Sequence, residues 1–132
     1  MTNISQVLGS RKGRILSVAP GESVNAAIQS MAKHEVGALL VMDKGKLVGI
    51  LSERDYARKI ILEGKSADST KVNEIMVAKV ICAKLDMTKK EAMAIMAKNN
   101  IRHLPVVDEK KEVVGVVSIR DFVHDLEGED EE

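Results

Sequence analysis

Gly49-Ile50-Leu51-Ser52-Glu53-Arg54-Asp55 and Gly115-Val116-Val117-Ser118-Ile119-Arg120-Asp121 are one pattern written twice, about 65 residues apart. The agreement runs upstream of both copies: Met31 answers to Met96 and Asp43 to Asp108, and downstream Tyr56 answers to Phe122. Internal repetition at this period makes each copy a supersecondary unit with its own share of the core. A chain of 132 residues has the length of one compact domain, and half of it is marginal alone. The two halves are therefore expected to pack on each other.

Working outward, each half reads β-α-β-β-α. Ile15 to Val18 is a short extended run stopped by Pro20-Gly21. Ser23 caps a predicted helix with Val24, Ala27, Ile28 and Met31 on one face. Gly37 ends that pattern. Ala38 to Met42 and Leu47 to Leu51 flank the turn Asp43 to Lys46 and read as a hairpin. Ser52 opens a second helix bearing Tyr56, Ala57 and Ile60. The order recurs: Val80 to Cys82 as the short strand, then Thr88 and Glu91 as a capping box before a helix with Ala92, Met93, Ile95 and Met96. Leu104 to Val107 and Val113 to Val117 make the second hairpin. Ser118 opens the last helix, with Ile119, Phe122, Val123 and Leu126 at helical spacing. The fold class is α/β of the α+β kind, two pseudo-symmetric β-α-β-β-α repeats packed as one module. The expected divisions are an N-terminal arm at 1–13, repeat 1 at 14–63, a polar linker at 64–74, repeat 2 at 75–126 and an acidic tail at 127–132.

Composition narrows function. Formal net charge is zero, which gives no electrostatic footprint for nucleic acid or an anionic membrane. One Tyr, one Phe and no Trp leave no stacking platform for single-stranded nucleic acid. No apolar run reaches membrane-spanning length and Met1 to Gly9 lacks a signal-peptide core, so the cytoplasm is the expected location. Cys82 is the only cysteine and reads as a small core residue; His34, His103 and His124 are too scattered for a metal signature. No phosphate-cradling Gly-rich loop or base–nucleophile pair points to an enzyme.

The repeated motif has chemistry of its own. A strand runs into a helix whose first amides carry partial positive charge and suit phosphate. The Ser adds a donor, and the Arg two residues on makes charge-assisted contacts with phosphate oxygens. The Asp offers two acceptor oxygens to the two donors of a vicinal ribose diol. Against this stands a simpler reading: Ser-x-x-Asp at a helix start is close to a capping box and needs no ligand. For one isolated copy capping is the better account; two copies in one frame favour a ligand, and the two roles are compatible.

Taken together, the order, spacing and duplication resemble a tandem pair of CBS domains, a Bateman module. Besides the two motifs, Ile101-Arg102-His103-Leu104-Pro105-Val106-Val107-Asp108 matches a frequent string of that family, with Val36-Gly37-Ala38-Leu39-Leu40-Val41-Met42-Asp43 as its first-repeat counterpart. The resemblance spans roughly residues 8–126 with no other domain attached, which implies a stand-alone module. It implies a regulatory role with adenine-nucleotide ligands, AMP, ADP or ATP, less commonly NAD or S-adenosylmethionine, in clefts shared between repeats. One cleft would use Ser118, Arg120 and Asp121, with base contacts from Leu16, Val36 and Gly37 and with His103 approaching it. The other would use Ser52, Arg54 and Asp55 with Ile81, Ile101 and Arg102. The basic pair Arg102 and His103 is replaced in repeat 1 by Gly37 and Ala38, so unequal affinities are expected. Related modules pair into discs, so a homodimer through Tyr56/Ile60 and Phe122/Leu126 is expected, with output through a separate effector protein. The alternative is a protein-interaction scaffold with vestigial sites.

Overall fold

The computed structural model describes residues 2–123. The chain divides into two compact units. Leu16–Val80 forms one, here the N-repeat unit; the stretch up to Ile15 joins the stretch from Ile81 onward to form the other, the C-repeat unit.

In the N-repeat unit, β1 (Ser17–Val18) pairs in parallel with β2 (Ala38–Asp43), and β2 pairs antiparallel with β3 (Lys46–Ser52). Between β1 and β2 runs helix α2 (Val24–His34), started by Ser23, whose hydroxyl accepts from the Ala26 amide at 3.1 Å. Its apolar stripe, Val24, Ala27 and Met31, is buried on a core with Leu39, Val41, Leu51 and Ile60. The β2–β3 turn is Lys44-Gly45, with φ of 53° and 79°, the primed geometry that matches strand twist. After β3, helix α3 (Glu53–Tyr56) widens into a π-helical turn over Ala57–Ile61.

The C-repeat unit repeats the plan. The strand β4 (Ala83–Lys84) lies parallel to β5 (His103–Val107), which pairs antiparallel with β6 (Val113–Ser118). Helix α5 (Lys89–Asn99) connects β4 to β5, and a final helix α6 is described over 119–123. This is the mixed helix-and-sheet architecture expected, in two three-stranded sheets. The short strand falls at Ala83–Lys84, paired with Val106 and Val107, and not at Val80 to Cys82, because the residue before Val106 is Pro105, which has no amide to extend the pairing.

Both connecting helices end alike. Glu35 (φ 55°) and Asn100 (φ 52°) take the left-handed conformation, and the next residues, Val36 and Ile101, donate back to Met31 and Met96 carbonyls at 3.0 Å. That is the helix-stop geometry glycine fills best. Asn tolerates it; Glu takes it at a cost. Glu35→Gly is therefore expected to raise stability by about 1 kcal/mol, read as a higher urea midpoint with unchanged slope.

Each sheet is backed by a lead-in helix. In the C-repeat unit this is α1 (Ile4–Leu8), from the start of the chain; in the N-repeat unit it is α4 (Val72–Ile75), from the segment between repeats. Each lead-in helix thus serves the repeat that it does not directly precede. Their docking explains the glycines that open the motifs. A Cβ at Gly115 would lie 2.9 Å from a Leu8 methyl; one at Gly49 would lie 2.5 Å from Met76 Sδ and 3.1 Å from the Val77 carbonyl. Ile50 and Val77 also exchange backbone hydrogen bonds at 3.0 and 2.9 Å. Residues 1–13, read as a polar arm or short helix, thus contribute Ile4 and Leu8 to the C-repeat core, both at most 2% exposed.

The apolar faces assigned to a dimer are corrected by the same cores. Phe122 is fully buried among C-repeat core residues, Ile60 is 3% exposed in the N-repeat core, and Tyr56 packs against that core. Periodicity identified the apolar face but not what covers it. The exposed apolar residues nearby are Ile61, Leu62, Ile119 and Val123. Leu126, His124 and the tail at 127–132 lie outside the described residues.

Candidate functional site

Register gathers the motif residues of each unit at one end of its sheet. In the N-repeat unit, β1 and β2 begin and β3 ends at the same edge. Leu16 precedes β1 and its carbonyl accepts from Leu40; Gly37 precedes β2 and its carbonyl accepts from the Glu53 amide at 3.0 Å; Ser52 stands opposite Ala38. Leu16 is exposed, Gly37 and Val36 are half-buried, and Val36 packs on the core. The C-repeat unit matches the β-hairpin part of this arrangement, while Pro105, at the place of Leu40, has no amide to give the first contact. The Arg102 carbonyl accepts from Ile119 at 3.0 Å, Ser118 stands opposite His103, and Ile81 and Ile101 pack against the core from the same end. Ile101, Arg102 and Ile119 line a shallow cavity of about 240 Å³ with Met93, Met96 and Asn100. Arg120 is exposed and Arg54 half-buried.

Each expected cleft draws residues from both units. Ser118, Arg120, Asp121 and His103 belong to the C-repeat unit and Leu16, Val36 and Gly37 to the other; Ser52, Arg54 and Asp55 belong to the N-repeat unit and Ile81, Ile101 and Arg102 to the other. Within a unit, each motif stands together with the base-contact residues expected of the opposite cleft.

The two aspartates differ in their surroundings. Asp55 Oδ2 accepts from the Ser52 amide at 2.9 Å and from its hydroxyl at 3.0 Å, and the Asp55 amide donates to Ser52 Oγ at 3.2 Å. Asp55 Oδ1 meets Lys59 Nζ at 3.4 Å, and that ammonium also donates to the Ile75 carbonyl at 2.8 Å. Asp55 is 8% exposed and closes a full capping box. Asp121 Oδ2 accepts from the Ser118 amide at 2.8 Å, with the hydroxyl at 3.4 Å, and meets Arg11 Nη2 at 3.2 Å. The capping reading therefore holds at both helices, and most fully at Asp55. Asp55→Ala is expected to cost about 1–2 kcal/mol of stability, the range of a lost cap, measured by urea denaturation.

Sequence reasoning did not find Arg11 or Lys59 as partners of the two aspartates. Lys59 stands four residues after Asp55, a helical pair spacing that could have been read. Arg11 meets Asp121 across more than a hundred residues and leaves no local signal. Cys82, read as a small core residue, is half-buried and stands beside the core, where Ala83 is the buried residue; burial pushes its thiol pKa up. Hydrogen bonds from Thr88 lower the Glu91 pKa, the mark of the α5 capping box. Among the described residues no three His, Cys, Asp or Glu gather as a metal would need, and no helix is long and apolar enough to cross a membrane.

The tandem β-α-β-β-α units, with a Ser–Asp pair at the same end of each sheet, define a duplicated CBS module. The chain belongs to the CBS-domain family: the family model matches residues 5–62 and 72–128. The mitochondrial CBS domain-containing protein CBSX3 of Arabidopsis thaliana is 42% identical over 131 residues, covering 92% of this chain; this chain spans 63% of that protein's length. The crystal structure of the CBS domain NE2398 is 40% identical, with 96% of this chain and 98% of that one covered at a TM-score of 0.89. The CBS domain pair of MJ0100, solved in complex with 5′-methylthioadenosine and S-adenosyl-L-methionine, is 30% identical, with 98% of both chains covered and a TM-score of 0.84.

Proposed function

We propose that the chain is a regulatory module that binds an adenosine-based ligand (AMP, ADP, ATP, NAD or S-adenosylmethionine) through the duplicated Ser-x-Arg-Asp residues. The observation that carries this reading is the pairing of Ser118 with Asp121 at a helix start beside exposed Arg120, in a chain alike over nearly its whole length to a CBS pair solved with two adenosine compounds. Ser, Arg and Asp there match phosphate and ribose, and the apolar residues at the sheet ends suit a flat base. The sharing of each ligand between repeats is part of the proposal, as the resemblance implies.

The site assigned to Asp121 is the stronger of the two, because Asp55 is more buried and already committed to its box and to Lys59. No catalytic step is assigned. The ligand acts by binding two states of the protein unequally, with output through a homodimer or a separate effector protein. The cytoplasm is the compartment this reading gives; the Arabidopsis relative is named as mitochondrial.

The test is a thermal-shift panel with the five compounds. A ligand at a hundred times its Kd adds about 2.7 kcal/mol of apparent stability, a rise of several degrees. The scaffold reading, favoured by the full engagement of Asp55, predicts no rise with any of them.

A further inference from the structure

The C-repeat motif holds an ion pair whose cation comes from the start of the chain. Arg11 ends the turn Gly9–Arg11 that follows α1 and reaches Asp121 Oδ2 at 3.2 Å. That same oxygen accepts from the Ser118 amide at 2.8 Å. The Ser118 hydroxyl lies farther off, at 3.4 Å; a carboxylate oxygen has two lone pairs, so the two closer partners already fill Oδ2. A ribose diol chelated by the carboxylate needs one acceptor on each oxygen; the rotatable hydroxyl turns away freely, and one of the two closer partners must also yield. The Ser118 amide stands at a helix start, where an unpaired N–H is costly. Arg11 is 46% exposed, and an exposed guanidinium passes into water at little cost.

We infer that Arg11 competes with the ligand for Asp121, so that a bound ribose frees the turn at Gly9–Arg11 from the motif. The inference rests on the proposed function and adds its regulation. Sequence and structure make the device specific to this repeat. In the N-repeat the cation is Lys59, on the same helix as Asp55 and anchored also to the Ile75 carbonyl. The residue four positions after Asp121 is Asp125, so the sequence has an acid where the first repeat has Lys59. The movement is local. Ile4 and Leu8 stay buried in the core, Gly9 (φ 51°) forms the hinge, and Gly13 is the next tether, its amide donating to the Val114 carbonyl at 2.7 Å.

The test compares wild type, Arg11→Gln and Arg11→Lys by calorimetry with AMP and with 5′-methylthioadenosine. The second probe carries no phosphate, so Arg11 cannot assist its binding by charge. Arg11→Gln is expected to bind 5′-methylthioadenosine about two- to fivefold more tightly than wild type, the span of an exposed ion pair, and Arg11→Lys to match wild type. Amide hydrogen exchange supplies the second readout: saturating ligand should speed exchange at residues 10–12 in wild type, and Arg11→Gln should do so without ligand. Unchanged or weaker binding by Arg11→Gln, or slower exchange on ligand addition, overturns the competition while leaving nucleotide binding standing. Silence of all three proteins with both probes and with ADP, ATP, NAD and S-adenosylmethionine overturns the binding reading, and the competition with it.

Discussion

Phe122→Ala is expected to destabilise the protein by about 3–5 kcal/mol, a large share of the roughly 5–15 kcal/mol that holds a domain together. Phe122 is the largest fully buried side chain, and it is packed with Ile4, Leu8, Ala92, Met96 and Leu104. Removing the ring loses its transfer free energy and leaves a void that helices on two sides cannot close. Urea denaturation followed by circular dichroism checks this. The counterpart Tyr56→Ala is expected to cost less, because Tyr56 is only half-buried at the edge of its core. A small effect at Phe122 would mean that α6 does not dock as described, and the motif immediately before it would lose its support.

Asp121→Ala is expected to weaken the adenosine ligand roughly ten- to 150-fold, the loss of charged hydrogen bonds worth about 1.5–3 kcal/mol. The same change removes the acceptor for the Ser118 amide, so it also carries a cap penalty of about 1 kcal/mol. The two effects separate cleanly. Affinity is measured by calorimetry well below the melting temperature, and stability by denaturation without ligand. Asp121→Asn keeps an oxygen for the Ser118 amide and removes the charge. It should recover most of the stability and little of the affinity. If Asp121→Asn bound like wild type, the carboxylate would be a cap and nothing more.

Much of this architecture was legible because it is written twice. The caps at Ser23, Ser52 and Thr88 and the hairpin turns near Gly45 and Lys110 announce themselves locally, and each reappears in the structure. The motif glycines were visible as a pattern, but not their cause. Gly49 and Gly115 are bare because Met76 and Leu8 press against the sheet there, contacts made by lead-in helices of four and five residues. Such short helices carry too little periodicity to reveal where they dock. The same holds for Arg11 and Asp121, whose pairing depends on that docking. The apolar stripe of the last helices was read correctly and placed wrongly, since Ile60 and Phe122 are covered within their own units. In the site, the repeated motif and the family resemblance named residues that the strand register gathers at the sheet ends. They could not show that Asp55 is shut into its capping box by Lys59 while Asp121 is paired with an exposed and releasable arginine.

The most direct measurement is calorimetric titration of the dialysed protein with AMP, ADP, ATP, NAD and S-adenosylmethionine in turn, alongside Asp121→Asn. The account predicts a saturable isotherm with at least one of the five, and a loss of tenfold or more in the variant. No heat of binding with any of them at millimolar concentration, together with no shift in melting temperature, would contradict it and leave the module as an interaction scaffold.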